Sequence, residues 1–391
     1  MKIIWATLLL LLLTLPFCGQ VSSTTQGAAR PDWRTALAQI DALAAAEFEK
    51  EKLGSLTIGV VSGSQLTWSK SYGYADMEKK EPATTEFVYR VGSITMQFTA
   101  LMLLQLEQEG KVHLSDPVEK YFPEVNKIPA RFPGAPPLTL VQLATHTSGL
   151  ASEPDDLSLY GKGPVADWEK SLIAALPHTK YIAEPGTRVA YSNIGYAILG
   201  AALSRAAKQP YIEYMQQRIF APLGMTSTAF DTSAQLAPRL SKGYVFEGGK
   251  VDAKVPESEH QGRGYKVPNG GLYTTVPDLA RFVAFEMGYG PTAVLKKEFL
   301  ADNFERLVVL ADERPSYLAS GYGIGFRFRV HGDRLIWGFA GGTPGYEARA
   351  DFDQTSHTGV IVLRNIGGRT VHVSTTKLVG EALDILAATS R

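Results

Sequence analysis

The sequence predicts an α+β protein in which a mainly antiparallel sheet, flanked by helices, carries an inserted helical subdomain. Runs rich in β-branched and aromatic residues occur near the start of the chain and again between residues 322 and 365. The region between them has apolar residues at helical spacing. Since both ends supply strands, we expect an α/β part at about 32–90 and 290–391, with the helical part at about 91–289.

The first elements are a helix and a hairpin. Asp32 is a candidate N-cap for a helix that continues to about Glu49, with alanine, leucine and isoleucine at helical spacing. The runs SLTIGVVS (55–62) and QLTWSKSYG (65–73) flank a glycine–serine pair, which is typical of a β-hairpin.

The helical part contains three segments with helical spacing, and the remaining strands follow it. We expect these helices at about 94–110, 194–207 and 277–285. The later elements are the β-type runs YGIGFRFRV (322–330), RLIWGF (334–339), YEARADF (346–352) and HTGVIVLRN (357–365), and a final helix at about 372–388.

The N-terminal residues have the composition of an export signal. Lys2 precedes an apolar run, 3–15, that ends at Pro16 and is short for a membrane-spanning helix. We therefore predict a signal peptide at 1–23, a polar leader at 24–31, a domain at 32–391 and a secreted or periplasmic location. An uncleaved anchor is the alternative. No later segment is predicted to cross a membrane.

Composition excludes several other classes of site. Cys18 is the one cysteine, and lipidation there is the less favoured alternative because the large Phe17 precedes it. The mature domain therefore has no disulfide or cysteine metal site. With 39 basic and 39 acidic residues, nothing favours nucleic-acid binding. The histidines lack metal-ligand spacing and 321–325 lacks the P-loop lysine, so no metal or cofactor is predicted.

Ser93 is the candidate nucleophile. It lies in Val-Gly-Ser-Ile-Thr-Met, which passes from a β-type run through a glycine into a helix. There the hydroxyl and a developing oxyanion would lie near the first N–H groups and the positive end of the helix dipole. A serine that only caps the helix is the alternative explanation.

Further motifs occur in order along the chain. They are Leu-Ala-Thr-His-Thr-Ser-Gly-Leu (143–150), Glu-Pro-Gly-Thr with Tyr-Ser-Asn-Ile-Gly-Tyr (184–187 and 191–196), Pro-Leu-Gly-Met (222–225), Asn-Gly-Gly-Leu-Tyr-Thr-Thr (269–275) and Gly-Gly-Thr-Pro-Gly-Tyr (341–346). Together they resemble the β-lactamase-related serine hydrolases, which include class C β-lactamases, penicillin-binding proteins, D-aminopeptidases and esterases. The resemblance covers about residues 35–388 and implies the β-lactamase/penicillin-binding-protein fold.

The resemblance implies a role for each matching residue. Ser93 matches the acylated nucleophile, and Tyr191 matches the tyrosine that works with a lysine as general base. Asn193 matches the asparagine that orients the substrate amide. Gly341 and Gly342 match the substrate-binding third motif, where the backbone N–H groups of Ser93 and Gly342 would form the oxyanion hole.

Two positions depart from the family pattern. The S-x-x-K motif has Met96 in place of lysine, and the third motif, normally His-x-Gly or Lys-Thr-Gly, begins with Phe339. Methionine has no usable proton site, so Tyr191 would act alone. Lowering a phenol pKa from near 10 to about 7 needs roughly 4 kcal/mol. Arg349 is a candidate contributor, as is His146, whose main expected role is structural.

Two functions therefore stay open. The first is a secreted serine hydrolase that cleaves ester or amide bonds through an acyl-serine, impaired because losing general-base catalysis costs about 10²–10⁴-fold. The second is a non-catalytic protein that binds a ligand or protein partner in the old cleft. Because Met96 and Phe339 remove positive charge, we expect a neutral or hydrophobic small-molecule ester, amide or peptide-like ligand in place of an anionic one.

Overall fold

The computed structural model describes residues 32–129, 132, 134, 136–159, 163–232, 235–305, 308–309, 320–368 and 371–390. The predicted signal peptide and leader lie outside this part of the chain. The α-helices are α1 (Trp33–Glu49), α2 (Thr95–Gln108), α3 (Leu140–Ala144), α4 (Trp168–Ala175), α5 (Asn193–Ala207), α6 (Tyr211–Met215), α7 (Ala221–Leu223), α8 (Lys254–Glu259), α9 (Val267–Gly270), α10 (Val276–Ala284), α11 (Lys297–Glu305) and α12 (Thr375–Ser390). The strands are β1 (Ser55–Ser62), β2 (Gln65–Asp76), β3 (Glu81–Pro82), β4 (Tyr89–Arg90), β5 (Tyr244–Glu247), β6 (Lys250–Asp252), β7 (Tyr273–Thr274), β8 (Val308–Val309), β9 (Ser320–Tyr322), β10 (Arg327–His331), β11 (Arg334–Thr343), β12 (Tyr346–Asp353), β13 (Thr358–Arg364) and β14 (Ile366–Gly367).

The largest sheet combines strands from both ends of the chain. Its order is β3-β2-β1-β13-β12-β11-β10-β9-β8, and its neighbouring strands pair antiparallel. At its centre β1 pairs with β13, which places Leu56 opposite Arg364 and Ser62 opposite Thr358. The predicted α+β fold class with a mainly antiparallel sheet is confirmed.

The two faces of this sheet bury different sets of helices. On the outer face, Leu56, Ile58 and Ile336 pack with apolar residues of α1 and α12. On the inner face, Phe339 belongs to the core that includes α2, α5 and α10. Neighbouring positions on a strand point to opposite faces, so β11 contacts both layers. This strand therefore connects the helical part with the outer layer of the sheet.

Several local elements agree with the sequence pattern, and one differs. Asp32 is the N-cap of α1 and accepts a 3.3 Å hydrogen bond from the N–H of Arg34. The run 322–330 was expected to be one strand, and this prediction was wrong. Residues 323–326 form a turn in which the N–H of Gly323 donates to the carbonyl of Phe326 at 2.9 Å. The glycines of this run permit the turn, since one of them, Gly325, has a φ of +80°.

A short pairing fixes the chain just before Ser93. Strand β4 pairs with β7, and the N–H of Val91 then donates to the carbonyl of Leu272 at 3.2 Å. The segment leading into α2 is thereby held beside the 269–275 motif. Of the helices that the structure describes, none is both long and apolar enough to cross a membrane.

Candidate active site

Ser93 lies in a single 3₁₀ turn, Gly92–Ile94, that leads directly into α2. The N-cap position of α2 is occupied by Ile94, so Ser93 is not the capping residue of this helix. The turn is closed by the Thr95 hydroxyl, which donates to the carbonyl of Gly92 at 2.6 Å. The Ser93 side chain is therefore left for a partner outside the helix.

That partner is Tyr191. The Tyr191 hydroxyl donates to Ser93 Oγ at 2.7 Å, across 98 positions of sequence. Tyr191 comes two residues before α5, whose N-cap Ser192 accepts a 3.0 Å hydrogen bond from the N–H of Gly195. The cap fixes the chain direction at the start of α5, and it thereby positions the tyrosine over the serine.

Met96 occupies the place of the motif lysine in space as well as in sequence. Its side chain is fully buried, and its Sδ lies 3.5 Å from the Tyr191 hydroxyl. A lysine ammonium at this place would donate to the phenol oxygen and favour the tyrosinate, whereas a thioether sulfur is only a weak acceptor. The side chain at position 96 therefore lies against the tyrosine, as expected for the motif lysine, but it carries no positive charge.

The wall around Tyr191 is aromatic. The ring of His146 lies 4.5 Å from the ring of Tyr191 and 4.9 Å from that of Tyr322. Phe339 continues this wall, with its ring 6.3 Å from Tyr322, and it is nearly buried. The position that carries a histidine or lysine in the family motif therefore presents an apolar ring.

His146 is neutral at physiological pH. Burial lowers the pKa of its imidazole to about 3, and its Nδ1 accepts a 3.2 Å hydrogen bond from the N–H of Ser192. An imidazole that accepts a backbone hydrogen bond orients the chain before α5. It supplies no positive charge to Tyr191, and this agrees with the structural role expected for it.

Two backbone segments, the 3₁₀ turn that carries Ser93 and strand β11, approach each other closely. A Cβ added at Gly92 would lie 2.7 Å from the backbone nitrogen of Gly342. A Cβ added at Gly341 would lie 2.9 Å from the backbone nitrogen of Ser93. The glycines at 92 and 341 thus permit the close approach of the 3₁₀ turn to β11. The N–H groups of Ser93 and Gly342 are the candidate donors to an oxyanion.

Asn193 is held by a glutamate that the sequence motifs did not indicate. Its Nδ2 donates to Glu153 Oε1 at 2.5 Å, and the hydroxyl of Tyr265 donates to the other carboxylate oxygen. Burial is the main effect on the Glu153 carboxyl and raises its pKa. One N–H of Asn193 is therefore committed to the protein, which fixes the orientation of the amide.

A family model described as Beta-lactamase matches residues 40–384. The chain belongs to the beta-lactamase family. The resemblance inferred from the ordered motifs is thereby confirmed, and the matched range covers both the serine turn and β11. Met96 and Phe339 are therefore departures of a true family member.

Individual relatives are more distant. Protein flp of Staphylococcus aureus (strain N315) is 25% identical over 336 residues, which are 85% of this chain and 64% of flp. This chain thus spans less than two thirds of the length of that relative. Two solved structures have similar folds. The octameric penicillin-binding protein homologue from Pyrococcus abyssi has a TM-score of 0.75 at 24% identity, over 90% of this chain and 77% of its own. The D-amino acid amidase from Ochrobactrum anthropi SV3 has a TM-score of 0.76 at 20% identity, over 91% of this chain and 100% of the amidase chain.

A lysine outside the family motifs lies beside the cleft. Lys266 acts electrostatically on the Glu153 carboxyl and partly offsets the rise in pKa that burial causes, and its Nζ lies 3.3 Å from Glu259 Oε1. Burial is the main effect on the amine and lowers its pKa to about 8. Lys266 lies one residue before α9, and no sequence motif marks it or Glu153.

Arg349 does not act on Tyr191. Its guanidinium donates to Asp351 at 2.8 Å and to the Thr376 hydroxyl at 2.7 Å. It pairs across the sheet with Ala340, on the face opposite to Phe339. Of the candidate site residues, Tyr191 contacts both Ser93 and Met96, with Asn193 at the start of α5 and the glycines of β11 nearby. The described residues contain no cluster of three or more metal-ligating side chains.

Proposed function

We propose that this chain is a secreted or periplasmic serine hydrolase that forms an acyl-enzyme on Ser93 and turns over neutral esters slowly. The observation that carries this proposal is the 2.7 Å hydrogen bond between the hydroxyls of Tyr191 and Ser93. A nucleophile bonded to a proton-transfer group is the minimum arrangement for attack on a carbonyl. Its position beside two candidate oxyanion donors supports the same chemistry.

In the proposed reaction, Ser93 Oγ forms a bond to the ester carbonyl carbon, and the carbonyl oxygen becomes an oxyanion held by the N–H groups of Ser93 and Gly342. The Ser93 proton passes to the tyrosinate form of Tyr191. The bond between the carbonyl carbon and the leaving oxygen then breaks, and either the alcohol takes the proton from Tyr191 or a phenolate departs and Tyr191 gives its proton to solvent. Water next adds to the acyl carbon and its proton passes to the tyrosinate. The bond to Ser93 Oγ breaks as Tyr191 returns that proton to Ser93, which releases the carboxylic acid. Since Met96 and the neutral His146 do not stabilise the tyrosinate, proton transfer limits the rate.

The leaving group and the acyl group are both restricted. An activated phenolate leaves without a proton, whereas an amine must receive one. Esters are therefore the preferred substrates, and amides are poor ones. The rings of Tyr322 and Phe339 form an aromatic wall beside Tyr191, which favours apolar acyl groups over carboxylates.

A ligand-binding protein without turnover is the second candidate. The contact of Met96 with the Tyr191 hydroxyl favours it, since the group that would promote ionisation of the tyrosine is missing. In this alternative the Ser93–Tyr191 pair only hydrogen-bonds a carbonyl-containing ligand. The two candidates differ in whether a covalent bond to Ser93 is formed.

Hydrolysis of p-nitrophenyl butyrate by the purified chain tests the proposal. We expect slow release of nitrophenolate that is lost in Ser93→Ala and kept in Ser64→Ala, a matched change in the β1–β2 turn. The rate should rise with pH as the tyrosinate forms. A rate in Ser93→Ala equal to that of the wild type would overturn the proposal. Cleavage of the precursor within residues 19–23, seen by mass spectrometry of the exported protein, tests the location.

A further inference from the structure

A cavity lies on the outer face of the large sheet, behind the strand that carries Gly341 and Gly342. It has a volume of about 120 Å³ and is lined by residues of β10, β11 and β12 and by Thr376 of α12. The strand register places Arg327 opposite Gly338 and Arg349 opposite Ala340. These side chains share the face that packs on α12. Phe339, whose ring belongs to the aromatic wall beside Tyr191, also lines the cavity, so the cavity backs onto the Ser93 site.

The cavity is lined by an excess of positive charge. Arg327, Arg329 and Arg349 line it with one acid, Asp351, so three positive charges and one negative charge leave two positive. Arg329 Nη2 and Arg349 Nε both donate to Asp351 Oδ2, at 2.9 and 2.8 Å. These bonds fix two guanidinium groups with further N–H donors remaining, because each arginine has five.

Small residues of β11 keep the cavity open. Gly338 has a φ of +152°, and a Cβ there would lie 2.5 Å from Asp351 Oδ1. Ala340, the next residue on this face, is exposed and small. Besides these small residues, the cavity is lined by three arginines and by apolar residues that include Ile336 and Trp337. A buried carboxylate holds two of the three arginines, with Asp351 only 3% exposed.

We propose that this cavity binds a phosphate group, either free or as a monoester. Arginine presents its donors in a planar fork that suits two oxygens of a tetrahedral anion. The hydroxyl of Thr376, in the first turn of the 16-residue α12, lies at the positive end of a helix dipole. The volume of about 120 Å³ is several times the ~30 Å³ of a water molecule, which suits a small oxyanion.

Calorimetric titration of the full chain at constant ionic strength tests the proposal. Inorganic phosphate and glycerol 3-phosphate are titrated separately, with acetate as the control anion. We expect saturable binding of at least one phosphate and weaker binding of acetate. Equal binding of acetate, or no saturable binding of either phosphate at up to about 10 mM, overturns the proposal. A preference for one phosphate over the other distinguishes free phosphate from a monoester.

Variants assign the binding to this cavity. Arg349→Met should weaken phosphate binding by roughly 10- to 100-fold through the loss of charged hydrogen bonds. Because Arg349 also holds Asp351, the exposed Arg327→Met gives the same test without touching that pair. Ala340→Asp places a carboxylate directly opposite Arg349 and should repel an anion from the cavity. Arg188→Met, an exposed arginine elsewhere, is the matched control. Wild-type affinity in both Arg327→Met and Ala340→Asp overturns the proposal, and Ser93→Ala should bind normally.

Discussion

The phenol oxygen of Tyr191 lies 3.5 Å from Sδ of Met96, the residue about one helical turn after Ser93. Replacing Met96 by lysine places an ammonium group against this oxygen and favours its ionisation. We expect Met96→Lys to raise the rate of ester hydrolysis by about 10²-fold or more, within the range that general-base catalysis usually contributes. Initial rates with p-nitrophenyl butyrate measure the change.

Met96→Leu is the control for that substitution. It keeps the volume and apolar character of the buried position, so it should leave the rate near the wild-type value. A Met96→Lys protein that is folded by circular dichroism but no faster than Met96→Leu would contradict the role assigned to the missing lysine.

Gly92 can be tested against a second glycine with similar backbone strain. Gly92 has a φ of +49° and its added Cβ meets the backbone of Gly342, whereas Gly110 has a φ of +67° and no atom within 4 Å of its added Cβ. Gly110→Ala should lose about 1–2 kcal/mol of unfolding free energy from its backbone conformation alone, and Gly92→Ala should lose more because its Cβ also clashes with the backbone of Gly342. Only Gly92→Ala should also lose reaction at Ser93, since it displaces β11. Equal loss of reaction in Gly110→Ala would refute this assignment.

His146 makes the stability depend on pH in the acidic range. Its pKa is lowered to about 3 in the folded chain by burial, against about 6.5 when unfolded. The unfolded state binds the proton more readily, so stability falls as the pH drops from about 6.5 toward 3. Between pH 7 and pH 5, protonation of this residue in the unfolded chain lowers the free energy of unfolding by about 2 kcal/mol. Because His146 has a φ of +58°, asparagine is the suitable replacement. In His146→Asn, the fall in the free energy of unfolding between pH 7 and pH 5, measured by urea unfolding at each pH, should be smaller by this amount. An unchanged fall would count against the assignment.

Glu286 should have the opposite dependence. Full burial raises the pKa of its carboxyl well above the usual value, and its Oε2 has no hydrogen-bond partner among the described residues. The folded state therefore holds the proton, and stability falls as the pH rises above about 4.5. Glu286→Gln should raise the urea midpoint at pH 8 and have little effect at pH 4.5. The exposed Glu298→Gln should change neither, and a destabilised Glu286→Gln at pH 8 would show that the carboxylate has a partner.

Much of the fold was accessible from the sequence because local signals and long-range packing agree. Asp32 both favours an N-cap and acts as one, and the hairpin runs match β1 and β2 closely. The run 322–330 was mispredicted because its alternating residues suit a strand while its glycines permit a turn. The division at 91–289 and the signal peptide stay predictions.

The site was only partly accessible. Ser93, Tyr191 and Met96 occupy positions of the family motifs, so the contacts of Tyr191 with Ser93 and Met96 could be expected. Glu153 and Lys266 could not be placed, since each lies in a loop and acquires its partner only in the folded chain. A carboxylate three residues after the 143–150 motif is a weak signal by itself, because exposed acids are common in loops.

Covalent labelling of Ser93 tests the central proposal most directly. The purified wild type, Ser93→Ala and Ser64→Ala proteins are incubated with a fluorophosphonate, and their intact masses are measured. We predict one adduct on the wild type and on Ser64→Ala, and none on Ser93→Ala. A folded wild type that gains no adduct, while Met96→Lys is labelled, would contradict the hydrolase proposal and support a ligand-binding protein that has lost its proton carrier.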